Sequence, residues 1–170
     1  MPRPKLNLDH NHVAFIGMGS NLGDRQIFIS YGIKRLSRIK DSGIGAFSGL
    51  YATEPVGVQD RTPFLNMVVK FHTSITVDAL LDHLQRIEKD AGRTDAQRKK
   101  SRVLDMDILF FDDDIITGED LVVPHPEVHN RRFMLEPLAE IAGDLVHPVK
   151  RKKIKKLLEE CPKTHWVKRL

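Results

Sequence analysis

Apolar residues along this chain switch between two spacings, and the switches outline its elements. From His12 to Met18 the run VAFIGM is short enough for a buried strand. A tight Gly-Ser-Asn turn at 19–21 is expected next. A helix then follows over Arg25 to Ile39, where Ile29, Ile33, Leu36 and Ile39 recur at helical spacing. Gly43 and Gly45 interrupt, and Ala46 to Thr53 reads as a second strand. Leu65 to Thr73 alternates, with Leu65, Met67, Val69 and Phe71 on one face and Asn66, Lys70 and His72 on the other. Thr76 is placed to cap a helix whose first turn holds Asp78. Val77, Leu80, Leu81, Leu84, Ile87 and Ala91 mark its apolar stripe, and Gly92 ends it. Val103 to Phe111 predicts another strand, with a shorter one at Ile115 and Ile116. Later helices are expected over Arg132 to Ile141, interrupted or started by Pro137, and over Ile154 to Cys161.

The order strand, helix, strand, strand, helix, strand predicts an α+β protein. Its expected architecture is a ferredoxin-like βαββαβ antiparallel sheet with helices on one face plus C-terminal helical additions. That arrangement hosts many activities, so the chemistry must come from particular residues. At 170 residues the chain suits one domain, taken as residues 12–170 behind a loose leader at 1–11. With 41% hydrophobic and 29% charged residues it can build one core without disulfides. Cys161 has no internal partner, and the opening MPRPKLNLDHNH has no apolar signal region. No apolar run nears the roughly 18 residues of a membrane span. The expectation is a cytoplasmic, monomeric protein that binds neither membrane nor nucleic acid. The net charge of +4 is uneven. Lys150 to Lys156 reads as the polar face of a helix whose inner positions are Ile154, Leu157, Leu158 and Cys161. A second basic block, with Arg93, Arg98, Lys99, Lys100 and Arg102, abuts two aspartates.

Those aspartates are the strongest local feature. Strand alternation puts Asp105 and Asp107 on one face, roughly 7 Å apart along the backbone. Leu104, Met106, Ile108 and Phe110 are expected on the opposite, core side. Neighbouring carboxylates repel unless a cation or several donors compensate them, and oxygen ligands in this spacing suit Mg²⁺ with bound phosphate. Two solvated aspartates on an exposed sheet face are the plainer alternative. Arginines beside such a pair are what a polyphosphate needs, since guanidinium groups neutralise developing charge. His125, between Pro124 and Pro126, and Arg131 form a second candidate anion-binding group. The glycines at 17, 19 and 23 match neither the dinucleotide fingerprint nor the Walker loop.

Seven short pieces, in order, carry a resemblance: Gly19-Ser-Asn21; Tyr51-Ala-Thr-Glu-Pro-Val-Gly57; Phe64-Leu-Asn66; Gln85-Arg-Ile-Glu88; Gly92-Arg93; Arg102 with Asp105-Met-Asp107; and Val123-Pro-His125 leading to Asn130-Arg131-Arg132-Phe133. Together they resemble 6-hydroxymethyl-7,8-dihydropterin pyrophosphokinase of folate biosynthesis, over about Val13 to Pro148. The resemblance implies MgATP as donor and transfer of its intact pyrophosphoryl group to the pterin hydroxymethyl oxygen. It implies two Mg²⁺ ions on Asp105 and Asp107. It implies Thr53, Val56 and Asn66 against the pterin, stacked between Phe64 and Phe133. Gln85, Glu88, Arg93, Arg102, His125 and Arg131 are expected around ATP, with Arg98 compensating where the basic loop departs from the pattern. In that loop Asp95 replaces a frequent arginine, and Lys99-Lys100-Ser101 replaces a Trp or Asn followed by Gly-Pro. Arg132 stands where glycine is frequent, and Phe64 where tyrosine is also seen. Two competing readings are a palm-like nucleotidyltransferase and a non-enzymatic RNA-binding module. The second would want exposed aromatics where Val103 to Phe111 presents acids.

Overall fold

The computed structural model describes residues 11–56, 61–92 and 103–170. Its elements are β1 (His12–Ser20), α1 (Arg25–Leu36), β2 (Ser42–Phe47), β3 (Tyr51–Thr53), β4 (Phe64–Thr73), α2 (Val77–Asp90), β5 (Asp105–Phe111), β6 (Ile116–Thr117), β7 (Val122–Val123), α3 (Arg132–Ala142), α4 (Ile154–Glu160) and β8 (Val167–Arg169). The main sheet runs β5-β1-β4-β3-β8, and β2 pairs with β4 beside β3. Every pairing is antiparallel, and β6 with β7 forms a separate small hairpin.

Several expectations shift by local chemistry. β1 continues through Gly19 and Ser20, which pair with Asn66 and Leu65, so the expected turn begins only at Asn21. The single strand expected at Ala46 to Thr53 is two strands, broken at Ser48. The Ser48 N–H donates to Val68 O at 2.9 Å, while its Oγ accepts Val68 N–H at 3.0 Å and replaces a backbone carbonyl in the ladder. α1 is capped by Asp24, whose Oδ1 accepts Ile27 N–H, and α2 by Thr76 as expected. Pro137 neither starts nor breaks α3, which runs through it. Its missing N–H removes one helical bond, near the start of the helix.

Both faces of the sheet are buried, each in its own cluster. The first packs Ile16, Met18, Met67, Val69, Phe71 and Met106 against Ile29 and Leu36 of α1 and Leu80, Leu84 and Ile87 of α2. The second packs Phe15, Val68, Leu109 and Phe110 against Met134, Leu135 and Leu138 of α3 and Ile154 and Leu157 of α4, with the buried free Cys161. Phe110 therefore lies opposite to its expected side. Between the pairs Phe15–Phe110 and Ile16–Ile108 the β1–β5 register skips Leu109. That bulge reverses the alternation beyond Ile108 and turns Phe110 towards α3.

α3 is fastened to the sheet by Glu140. Its carboxylate accepts from the Tyr51 hydroxyl at 2.5 Å, from Gly49 N–H at 3.2 Å and from Arg169 Nη2 at 3.0 Å. Arg169, foremost, holds the Glu140 carboxyl below the ordinary carboxylate range, whereas burial and Glu140 push the Tyr51 hydroxyl up to about 12. The basic run at 150–156 pairs along its exposed surface, Lys152 with Glu160, Lys153 and Lys155 with Asp144, and Lys156 with Glu159.

His147 closes the turn between α3 and α4. Its Nδ1 accepts from Val149 N–H at 3.1 Å and Lys150 N–H at 3.0 Å, which requires a neutral ring with its proton on Nε2. Burial, helped by His129 and Lys150, pushes the imidazole down from 6.5 to about 4. An unfolded chain takes up this proton near 6.5 while the folded one resists, so stability is full above that pH and drains between 6.5 and about 4. At most about 3 kcal/mol is involved. Denaturation of wild type and His147→Gln across this window should show a shallower acid loss in the variant; equal slopes would reject the assignment.

Candidate active site

The site begins with what β1 lacks. Ile16 and Met18 face the first cluster, and the intervening positions on the other face are Gly17 and Gly19. Across the ladder Gly17 lies opposite Asp107 on one side and Val68 on the other. Gly19 lies opposite Asp105 and Asn66. The two half-buried aspartates thus flank a strip without side chains. A Cβ on Gly19 would fall 2.7 Å from Asn66 Oδ1, closer than real contacts allow. Asn66 stands two strands from Asp105, about 10 Å away at ordinary strand spacing.

β5 is an edge strand of the sheet, and its outer edge is braced. Glu88, buried on α2, accepts Met106 N–H through Oε1 at 2.6 Å, at the residue between the two aspartates. This occupies an edge amide and fixes the backbone that carries both carboxylates. Gln85, one turn earlier on α2, is exposed.

On the carboxylate side His125 follows the cis Val123–Pro124 peptide, and its N–H donates to Leu109 O at 2.9 Å. Its Nδ1 accepts Glu127 N–H at 3.1 Å, which leaves Nε2–H as the outward donor. Burial foremost, then Arg131, lowers the His125 pKa, while Asp105 and Glu127 oppose the shift. These couplings place His125 within electrostatic reach of both Asp105 and Arg131. The Arg131 guanidinium sits over the Phe133 ring, 5.7 Å from its centre.

Asn66 Nδ2 donates to Thr53 Oγ1 at 2.7 Å, and both residues are buried. Thr53 pairs with Phe64, which shares the Asn66 face of β4 and belongs to neither core cluster. Beyond Thr53 opens a cavity of about 330 Å³ whose walls include Val56, Arg131 and Phe133. Thr53, Val56 and Phe133 thus line one cavity, with Asn66 bonded to Thr53 and Phe64 paired with it, while Asp105 shares a strand face with Asp107 and acts electrostatically on His125. Arg131 lies over Phe133 and acts electrostatically on His125. Gln85 and Glu88 stand on the helix behind β5. Arg93, Arg98 and Arg102 lie outside the described residues.

A family model described as 7,8-dihydro-6-hydroxymethylpterin-pyrophosphokinase (HPPK) matches residues 15–143, which span both aspartates, the glycine strip and Phe133. The chain belongs to the HPPK family. It is 41% identical over 131 residues to the 2-amino-4-hydroxy-6-hydroxymethyldihydropteridine pyrophosphokinase of Bacillus subtilis, covering 77% of this chain and 78% of that one. It is 44% identical over 139 residues to the folic acid synthesis protein fol1 of Pneumocystis carinii, covering 82% of this chain but only 19% of that protein. The fold matches wild-type HPPK-DHPS of Plasmodium falciparum, solved with pteroate, at a TM-score of 0.70 and 16% identity, covering 88% of this chain and 42% of that one.

At this candidate site three features escape the sequence pattern. Gly17 and Gly19 form a floor; their signal was the alternation of glycine with Ile16 and Met18. Glu88 acts on the Met106 backbone, which no residue pattern encodes. The C-terminal Pro162, Thr164, His165 and Trp166 help to line the cavity, but they lie in the loop before the three-residue β8, where no period can be read.

The His125 environment yields a direct check. Its titration should fall below the ordinary imidazole value, and Asp105→Asn should lower it further by removing a carboxylate that favours the charged ring. Arg131→Ala should move it upward. Ring-proton NMR across pH 4 to 8 reads all three; a rise in Asp105→Asn would contradict the placement.

Proposed function

We propose that this chain transfers the intact β,γ-pyrophosphoryl group of MgATP to the hydroxymethyl oxygen of 6-hydroxymethyl-7,8-dihydropterin, as a step of folate biosynthesis. The observation that carries it is the placing of Asp105 and Asp107 across the ladder from Gly19 and Gly17, with Asn66 on the other side of Gly19, in a chain of the HPPK family. In this reading β1, α1, β2 with β3, β4, α2 and β5 make a ferredoxin-like βαββαβ unit. Residues 12–170 act as one domain, monomeric and cytoplasmic.

Among the described residues no group of three or more His, Cys, Asp or Glu could hold a metal. Two carboxylates on one strand face nonetheless fit Mg²⁺, which keeps several waters and takes much of its coordination from substrate phosphates. Asp105 and Asp107 are the residues that would hold it, as two ions in this proposal. Bound there, it would neutralise the phosphate charge that develops during transfer.

At the acceptor end Asn66 spends an N–H on Thr53, so its Oδ1 lies over Gly19 as an acceptor for a ring N–H. Phe64 and Phe133 supply apolar faces for a flat heterocycle, and Val56 adds an apolar edge. At the donor end His125 Nε2–H and Arg131 donate to phosphate oxygens, and Arg93, Arg98 and Arg102 add charge. Gln85 faces the nucleotide, and Glu88 contributes by holding β5. Transfer joins the hydroxymethyl oxygen to the β-phosphorus and breaks that phosphorus's bond to the α–β bridging oxygen. AMP leaves, and the hydroxyl proton is released. The protein supplies alignment and charge compensation.

Purified protein with ATP, Mg²⁺ and hydroxymethyl-dihydropterin should give AMP and pterin diphosphate in equal amounts. Release of pyrophosphate instead would favour a nucleotidyltransferase. Asp107→Ala should lose at least about a hundredfold in turnover, a few kcal/mol of transition-state stabilisation, with its melting curve intact. Near-normal turnover in that folded variant would sink the metal assignment. Gly19→Ala, which drives a methyl group into Asn66, should weaken pterin binding about tenfold by calorimetry while leaving ATP binding unchanged. Unaltered pterin affinity would remove Asn66 from the acceptor site.

A further inference from the structure

The cavity bounded by Thr53, Val56 and Phe133 is completed by the C-terminal segment, through Pro162, Thr164 and Trp166. That segment is tied to both walls. Arg132, adjacent to Phe133, donates Nη1 to Leu158 O and Cys161 O, each at 3.1 Å. Its Nη2 meets Glu136 Oε1 at 2.6 Å, and its side chain is only 14% exposed. The two carbonyls belong to the end of α4, where helical donors run out. At the other wall Glu54, adjacent to Thr53, donates its N–H to Trp166 O at 3.1 Å. The Glu54 carboxylate meets His165 Nδ1 at 2.9 Å, and Thr53 itself pairs with Val167. Each tie lies within one residue of a wall.

We infer that Arg132 and His165 are positioning residues for the acceptor, holding residues 161–166 as a strap that sets the separation between the Thr53 wall and the Phe133 wall. The inference rests on the proposed function, because it concerns the pocket assigned to the pterin. A flat ring gains dispersion from its walls only at contact distance, and a gap of under an ångström forfeits much of it. The strap therefore acts on acceptor affinity, and the aspartates and His125 lie outside its reach. Arg132 carries the larger share, since its three bonds are shielded. The His165–Glu54 pair is 53% and 38% exposed and contributes less.

The test compares wild type, Arg132→Ala, His165→Ala and His165→Gln. It uses hydroxymethyl-dihydropterin calorimetry with a non-hydrolysable ATP analogue and Mg²⁺, together with steady-state kinetics. Arg132→Ala should weaken pterin binding about tenfold and His165→Ala about threefold, with pterin KM rising in parallel. The kcat at saturation and the nucleotide affinity should stay within about twofold of wild type. His165→Gln, which keeps a donor for Glu54, should recover most of the loss. Should Arg132→Ala not fold, the His165 pair with Glu54→Gln decides the matter. Unchanged pterin affinity in folded variants overturns the strap, as does an equal loss in nucleotide affinity and kcat. A wild type that turns over normally beside such variants leaves the pyrophosphokinase reading standing. A wild type that yields no AMP removes that reading and the strap with it.

Discussion

One interior strand of the sheet must serve two surfaces with opposite needs, and β1 meets them by alternation. Ile16 and Met18 fill the core under α1 and α2, while Gly17 and Gly19 bring no side chain to the other face, where Leu109 and Asn66 approach the strand beside Asp107 and Asp105. Any side chain at Gly19 would strike Asn66, so the glycine is required by close approach, not by a left-handed backbone. Glycine in a strand weakens it and gives it nothing to pack. β1 tolerates two because it is hydrogen-bonded on both sides, to β4 and to β5. The same face is apolar further along, where Phe15, Val68, Leu109 and Phe110 meet α3 and α4. The bulge at Leu109 marks the change, since it adds Phe110 to the side on which the aspartates stand.

That division makes α3 the hinge between scaffold and site. Its first turn offers Phe133 to the cavity, and its inner side builds the second core. Polar ties hold both ends, Arg132 to the end of α4 and Glu140 to Tyr51, Gly49 and Arg169. Bonds of this kind fix direction as well as adding stability, because a guanidinium or carboxylate with several partners has few alternative poses. The helix thereby holds an aromatic ring at a set height above β3 and β4.

The sequence was most legible where period and side-chain size coincide. The alternation of Leu65, Met67, Val69 and Phe71 and the stripe of Leu80, Leu84 and Ile87 located β4, α2 and the first core. Thr76 located a helix start. Strand parity put Asp105 and Asp107 on one face, and that survives because the bulge lies beyond them. What parity could not foresee was an insertion: Leu109 reversed Phe110, and Ser48 cut one strand into two by giving its hydroxyl to the ladder. Short pairings escaped for a related reason. β3, β7 and β8 are two or three residues long and are held by their partners more than by any pattern of their own. The cavity wall at Trp166 went unseen with β8.

Charge shows how little of a sequence-level count bears on a site. The lysines of 150–156 pair with Asp144, Glu159 and Glu160 in solvent, where screening leaves such pairs little net effect. Their number inflates the basic balance without shaping the pocket. Three buried or half-buried charges do more. Glu88 holds the backbone between the aspartates, Arg132 holds the strap, and Asp105 acts electrostatically on His125. The distinction is desolvation: a charge removed from water must be answered by fixed partners, and fixed partners are what hold a site's geometry. Asp105 and Asp107 differ in kind from Glu88. They are half-buried and lie across the ladder from Gly19 and Gly17. In the proposed function these two carboxylates are what would hold a ligand that brings its own positive charge.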